Sequence, residues 1–166
     1  MKRWAVILLV LFTFLIQTVV MPYLTVAGVK ANLLLILAVV VAVTHGPLAG
    51  LFVGAVGGLL QDVVFGRYIG LFTLAGALAG FLIGLIERRV FKEHFIMQIT
   101  LTFAASVMSN LIIFAFLAAF GVRLPLLASL RHVVLGEAIY DALLAPLVFW
   151  LVSKLALYRD DARLES

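Results

Sequence analysis

Apolar positions along this chain come in long blocks rather than in the alternating or one-sided patterns of water-soluble strands and helices. The first block covers residues 4–21 and stops at Pro22. A hydrocarbon layer of about 30 Å is crossed by roughly 20 helical residues, so this block predicts a first span. The next block, residues 33–65, is too long for one crossing. His45-Gly46-Pro47 divides it, because proline suits the first turn of a new helix. Two short spans are therefore expected, over residues 31–44 and 47–62. A turn over residues 62–68, hinged at Gly66, leads to a fourth span over residues 69–86. The charged segment 87–94 precedes a fifth span over residues 95–120. A longer connection with Pro125 precedes a sixth over residues 132–155, and residues 156–166 read as a polar tail. The pattern predicts an all-α integral membrane protein, a single six-transmembrane-helix bundle over residues 1–166.

Composition strengthens that reading. Apolar residues make up 66% of the chain and charged residues 12%, against about a quarter charged in a soluble domain. With no cysteine, disulfides and thiolate metal sites are excluded. The net charge of +4 does not point to nucleic acid, because the basic residues sit at the ends of apolar blocks, as topology signals do. The opening Met1-Lys2-Arg3 resembles the start of a signal peptide. Its apolar stretch exceeds the roughly 7–15 residues of such a segment, and it is read as a retained helix.

Six spans put both termini on one side. Lys2, Arg3, Arg88, Arg89, Lys92, Lys154, Arg159 and Arg163 fall on that side; Lys30, Arg67, Arg123 and Arg131 fall on the other. The excess on the terminal side places both ends in the cytoplasm by the positive-inside rule.

Glycine spacing marks helix contacts. Gly50, Gly54 and Gly58 recur every four residues in the third span, and Gly76, Gly80 and Gly84 do so in the fourth. Small residues four apart let two backbones approach closely in lipid, which predicts a tight hairpin. A glycine-floored substrate groove is the alternative.

Acids inside a membrane cost about 2.5–3.5 kcal/mol each on insertion scales, so each needs a reason. Asp62 ends the third span, and Glu137 and Asp141 share a face of the sixth. Arg67 lies at the same level. Asp62, Arg67, Glu137 and Asp141 are expected to form a structural polar cluster, a docking surface for a partner, or a small-molecule or proton site. Gln98, Thr102, Ser106, Ser109 and Asn110 line one stripe of the fifth span, and Thr13 and Gln17 one of the first; both are expected to face protein. His45 and His132 have no companion ligands at metal-binding spacing, and no metal or cofactor is expected. No metalloprotease, nucleophile-elbow, phosphate-loop or dinucleotide motif occurs. Asp62 and Asp141 as an intramembrane carboxylate dyad is a remote alternative to a non-enzymatic role.

The motifs from Pro22 onward resemble a known family. Asn32-Leu33-Leu34-Leu35, His45-Gly46-Pro47-Leu48-Ala49-Gly50, the run Gly54-Ala55-Val56-Gly57-Gly58-Leu59-Leu60-Gln61-Asp62, then Gly66, Gly70-Leu71 and Gly80 are similar to the rod shape-determining protein MreD. The definite motifs span about residues 20–90. The family often has Pro-Asp where this chain has Ala31-Asn32, so no role of that acid carries over. The resemblance implies a non-enzymatic inner-membrane subunit of the bacterial elongation machinery. Its implied partners are MreC, MreB filaments, the polymerase RodA and a penicillin-binding transpeptidase, with membrane lipid around it. The family is thought to share the fold of the substrate-binding subunits of energy-coupling-factor transporters. Such a small-molecule transporter subunit is the rival function, although the bulky Leu9-Val10-Leu11-Phe12 of the first span departs from the Ala-rich face such subunits present.

If lipid is the solvent of the apolar faces, the purified chain stays monodisperse only with detergent or lipid. Size-exclusion chromatography before and after detergent removal tests this; a monodisperse detergent-free peak would sink the membrane reading.

Overall fold

The computed structural model describes residues 3–25, 28–65, 69–87, 95–121 and 133–161. Among them lie six helices: α1 (Arg3–Val19), α2 (Leu33–His45), α3 (Pro47–Phe65), α4 (Leu71–Glu87), α5 (Phe95–Ala119) and α6 (Leu135–Asp161). Three of them, α3, α5 and α6, are long and apolar enough to cross a bilayer; α1, α2 and α4 are shorter apolar helices. The chain is an all-helical membrane protein.

The centre of the bundle is α2. Every residue from Leu33 to Val43 is buried, which accounts for a helix apolar on all sides. The other five helices all pack on it. Around it, α1 meets α3, α3 meets α4, α4 meets α5 and α5 meets α6, while α6 does not approach α1. That seam is bridged by the Tyr140 hydroxyl, which donates to the Leu24 carbonyl at 2.9 Å.

A single residue joins α2 to α3. The Gly46 N–H closes α2 by donating to the Ala42 carbonyl at 2.9 Å, and its own carbonyl accepts from Gly50 N at 3.1 Å. Gly46 makes this corner at φ +95°, where a side chain is strained. Pro47 then opens α3, where its missing N–H costs nothing.

The hairpin of α3 and α4 is held by backbone-to-backbone contact. Gly50 faces Gly80 and Gly54 faces Gly76, while Gly58 lies against Phe72 and Gly84 against Pro47. A methyl group added at Gly50 would stand 2.6 Å from the Gly80 carbonyl oxygen, and one at Gly76 2.6 Å from that of Gly54. Packing this close gains dispersion energy where lipid supplies no hydrophobic force between helices.

The helix ends differ from those expected. α3 continues past Asp62 to Phe65, so Asp62 is a helix residue rather than the first of a turn. α6 starts at Leu135, after a π-helical turn at Val133 and Val134, and runs to Asp161. Residues 156–161, expected in a polar tail, continue the helix, with no glycine or proline among them to interrupt it. Gly66, the charged loop at residues 88–92, Arg123, Pro125, Arg131 and His132 lie outside the described residues.

The glycine contacts make an ordered forecast. Gly54→Leu or Gly80→Leu blocks the hairpin and abolishes folded protein. Gly57 sits against Leu34 side-chain atoms, the nearest 3.3 Å from an added methyl, so Gly57→Ala is far milder than Gly54→Ala. Melting temperatures in detergent check the order; equal losses at Gly54 and Gly57 would refute it.

Candidate functional site

The chemically active side chains converge on the starts of two helices. α2 has 13 residues, about 20 Å of helix. That is about 10 Å less than the thickness of a hydrocarbon layer, and a helix end inside such a layer would have no water to satisfy it. A helix start leaves four N–H groups without intrahelical acceptors. At α2 three of these find side-chain acceptors, two from other helices and one from the residue that precedes α2. Asn32 N donates to Asp141 Oδ1 of α6 at 2.7 Å, and Leu34 N to Gln17 Oε1 of α1 at 3.0 Å. Leu35 N donates to Asn32 Oδ1 at 3.1 Å, which makes Asn32 the N-cap.

The network extends outward from there. Asn32 Oδ1 also accepts from Gln61 Nε2 of α3 at 2.6 Å. Asp141 Oδ2 accepts from the Ser106 hydroxyl of α5 at 2.8 Å. Asn110 Nδ2 donates to the Ser106 carbonyl at 3.1 Å. Glu137, half-buried one turn before Asp141, lies beside Asp141 and the Asn110 amide. A cavity of about 10 Å³ adjoins the cluster, lined in part by Asn32, Gln61, Ser109, Gly54, Gly58 and Gly76.

Asp62 performs the same task for α4. It is 1% exposed. Its carboxylate accepts from Gly70 N at 3.0 Å, Phe72 N at 3.0 Å, Thr73 N at 2.9 Å and the Thr73 hydroxyl at 2.5 Å. The negative charge also faces the positive end of the α4 dipole. An acid on α3 thus closes the start of the next helix, across the turn.

The expected polar cluster is therefore two linked groups. Asp141 and Glu137 lie at the start of α2, and Asp62 at the start of α4; Gln61, next to Asp62 in sequence, reaches Asn32. Arg67 lies outside the described residues. The partners of Asp62 and Asp141 among the described residues are amides and hydroxyls rather than cations. Gly50, Gly54, Gly58, Gly76, Gly80 and Gly84 all lie at helix contacts. Asn32 and Gln61 were not among the expected site residues. Asn immediately before an apolar run is a helix-start signal, whereas nothing local marks Gln61. Gln17 and Ser106 belong to the expected polar stripes, and the structure supplies their partners. His45, at the end of α2, makes a 2.7 Å contact with the Thr44 hydroxyl through Nδ1.

Fold and site together define a helical membrane protein whose buried acids and amides are turned inward to close its own helix ends. The family model of the rod shape-determining protein MreD matches residues 1–158 of the 166, and the chain belongs to that family. Membership supports a role in determining rod shape. No curated protein and no solved structure matches the chain.

Two measurements test the site. Asp62→Leu strips the acceptor from three N–H groups and a hydroxyl. At about 1–3 kcal/mol for each buried unsatisfied group, it is expected to prevent folding rather than yield a folded chain that has lost a partner. A wild-type melting temperature for Asp62→Leu would refute this. Asn32→Ala removes the α2 cap and orphans Gln61, a loss of about 2–4 kcal/mol. In a cycle of Asn32→Ala, Gln61→Ala and the double variant, the two losses are expected not to add, with a coupling of about 0.5 kcal/mol or more.

Proposed function

We propose that the chain is a non-catalytic subunit of the bacterial cell-elongation complex, acting through its lateral helix faces. In this reading all six helices cross the inner membrane, both termini are cytoplasmic, and the subunit binds MreC. Through MreC it links MreB, directly or indirectly, to RodA and its penicillin-binding transpeptidase. The observation that carries the proposal is the commitment of Asp62 and Asp141 to the protein's own helix ends. Carboxylates held by several internal donors are structural fastenings, and the surface left for a partner is the outer side of the helices.

The α3–α4 hairpin is the face proposed for MreC. Its glycines lock the two helices together, and Asp62 fixes the start of α4 from inside rather than touching the partner. Outward it presents Leu74, Leu78 and Leu82, each 38% exposed and four residues apart, a ridge suited to a single helix. Lys154 Nζ lies 4.4 Å from the Trp150 ring centre. Such an aromatic and cationic pair is typical of a membrane–water boundary, and supports the end of the sixth span there. The basic segment at residues 88–92 and the C-terminal residues would then face cytoplasmic partners or anionic lipid.

The rival transporter reading finds less support. The cavity found among the described residues, of about 10 Å³, has room for a water, whereas small-molecule sites run to several hundred cubic ångströms.

The test is copurification from a rod-shaped host. MreC is expected to accompany the wild-type chain, and Leu74, Leu78 and Leu82 changed together to alanine should lose it while melting normally. Undiminished recovery would remove the hairpin as the docking face. Rods that persist after the gene is depleted, or a vitamin that raises the melting temperature, would remove the proposed function itself.

A further inference from the structure

The cavity beside Asn32 has an unusual lining for the inside of a membrane bundle. Its floor is glycine, because Gly54, Gly58 and Gly76 are pressed against the opposing backbone and contribute no side chains. Its polar lining comes from three helices: Asn32 at the start of α2, Gln61 of α3 and Ser109 of α5. Ser109 is 4% exposed. Its neighbours on α5, Ser106 and Asn110, are both hydrogen-bonded; the Ser109 hydroxyl makes no such bond among the described residues. The Asn32–Gln61 bond uses the oxygen of one amide and the nitrogen of the other. Each therefore has its opposite end to offer.

We propose that this cavity binds one structural water, held by the Ser109 hydroxyl together with the free ends of the Asn32 and Gln61 amides. Its volume of about 10 Å³ matches the room one water requires, and buried waters take two to four polar partners. Purely apolar cavities stay dry; this one has Leu34, Leu35 and Phe72 in its lining but also the polar side chains of Asn32, Gln61 and Ser109. Nothing larger than water fits without moving the closely packed backbones of α3 and α4.

The water completes a circuit. Ser106 of α5 donates to Asp141 of α6, Asp141 accepts from the backbone of Asn32 in front of α2, and Asn32 accepts from Gln61 of α3. Water joining Gln61 to Ser109 brings the chain of bonds back to α5, three residues from where it began. α5 makes no helix contact with α3, so the water supplies the link between them. It also removes the penalty of an unpaired hydroxyl in a medium without solvent.

The sign of one substitution separates a wet cavity from a dry one. If water is bound, Ser109→Ala leaves it short of a partner, and the melting temperature falls by about 2–4 °C for a loss of about 1 kcal/mol. In a dry cavity the hydroxyl is an uncompensated buried group, so Ser109→Ala leaves the melting temperature unchanged or raises it, which overturns the proposal. Cryo-electron microscopy of the unmodified chain in lipid nanodiscs, at a resolution that shows ordered water, decides the matter even if the variant fails to fold. Density within about 3.2 Å of Ser109 Oγ and compatible with one water is expected. An empty cavity, or density for a larger molecule, overturns the assignment.

Discussion

The start of α2 is the constraint on which the bundle depends. A short helix buried on every side in an apolar medium must bring its own acceptors for the N–H groups at its beginning. Here they come from Asn32 within the chain's approach, Gln17 of α1 and Asp141 of α6. No one helix could supply them all, because side chains on a helix point around and back along it rather than beyond its neighbours' ends. Satisfying the backbone of the central helix therefore fixes where the outer helices stand. Two of the acids inside this membrane protein, Asp62 and Asp141, satisfy the backbone at the starts of its own helices.

The same logic recurs at α4, with glycine added. Asp62 secures the start of α4 from within α3, and the paired glycines bring the two backbones into contact along their length. The two devices need each other. Close approach holds Asp62 within reach of the α4 amides, and the carboxylate fixes the register that sets Gly54 opposite Gly76 and Gly50 opposite Gly80. The result is a closely packed pair of helices whose inward polar side chains, Gln61 and Asp62, are committed to the bundle itself.

Much of the architecture was legible in the chain. Block length announced lipid, His45-Gly46-Pro47 marked the corner between α2 and α3, and glycine spacing announced the hairpin. The helix ends were less legible. Asp62 had the look of a rim residue because an acid at the end of an apolar run marks the surface in most membrane helices. It is buried because the start of α4 presents three amides to it. The tail was judged by polarity, which does not stop a helix in the absence of glycine or proline.

The sequence by itself determined the solvent, the helices and the contact faces of the hairpin, since these follow from local composition and from spacings of about one helical turn. Only the tertiary structure decided what the polar residues do. Gln17 and Leu34 lie 17 positions apart, Gln61 and Asn32 29, and Asp141 and Asn32 109. The partner of a buried polar group is chosen by which helix ends meet in space, and no periodicity along the chain records that meeting.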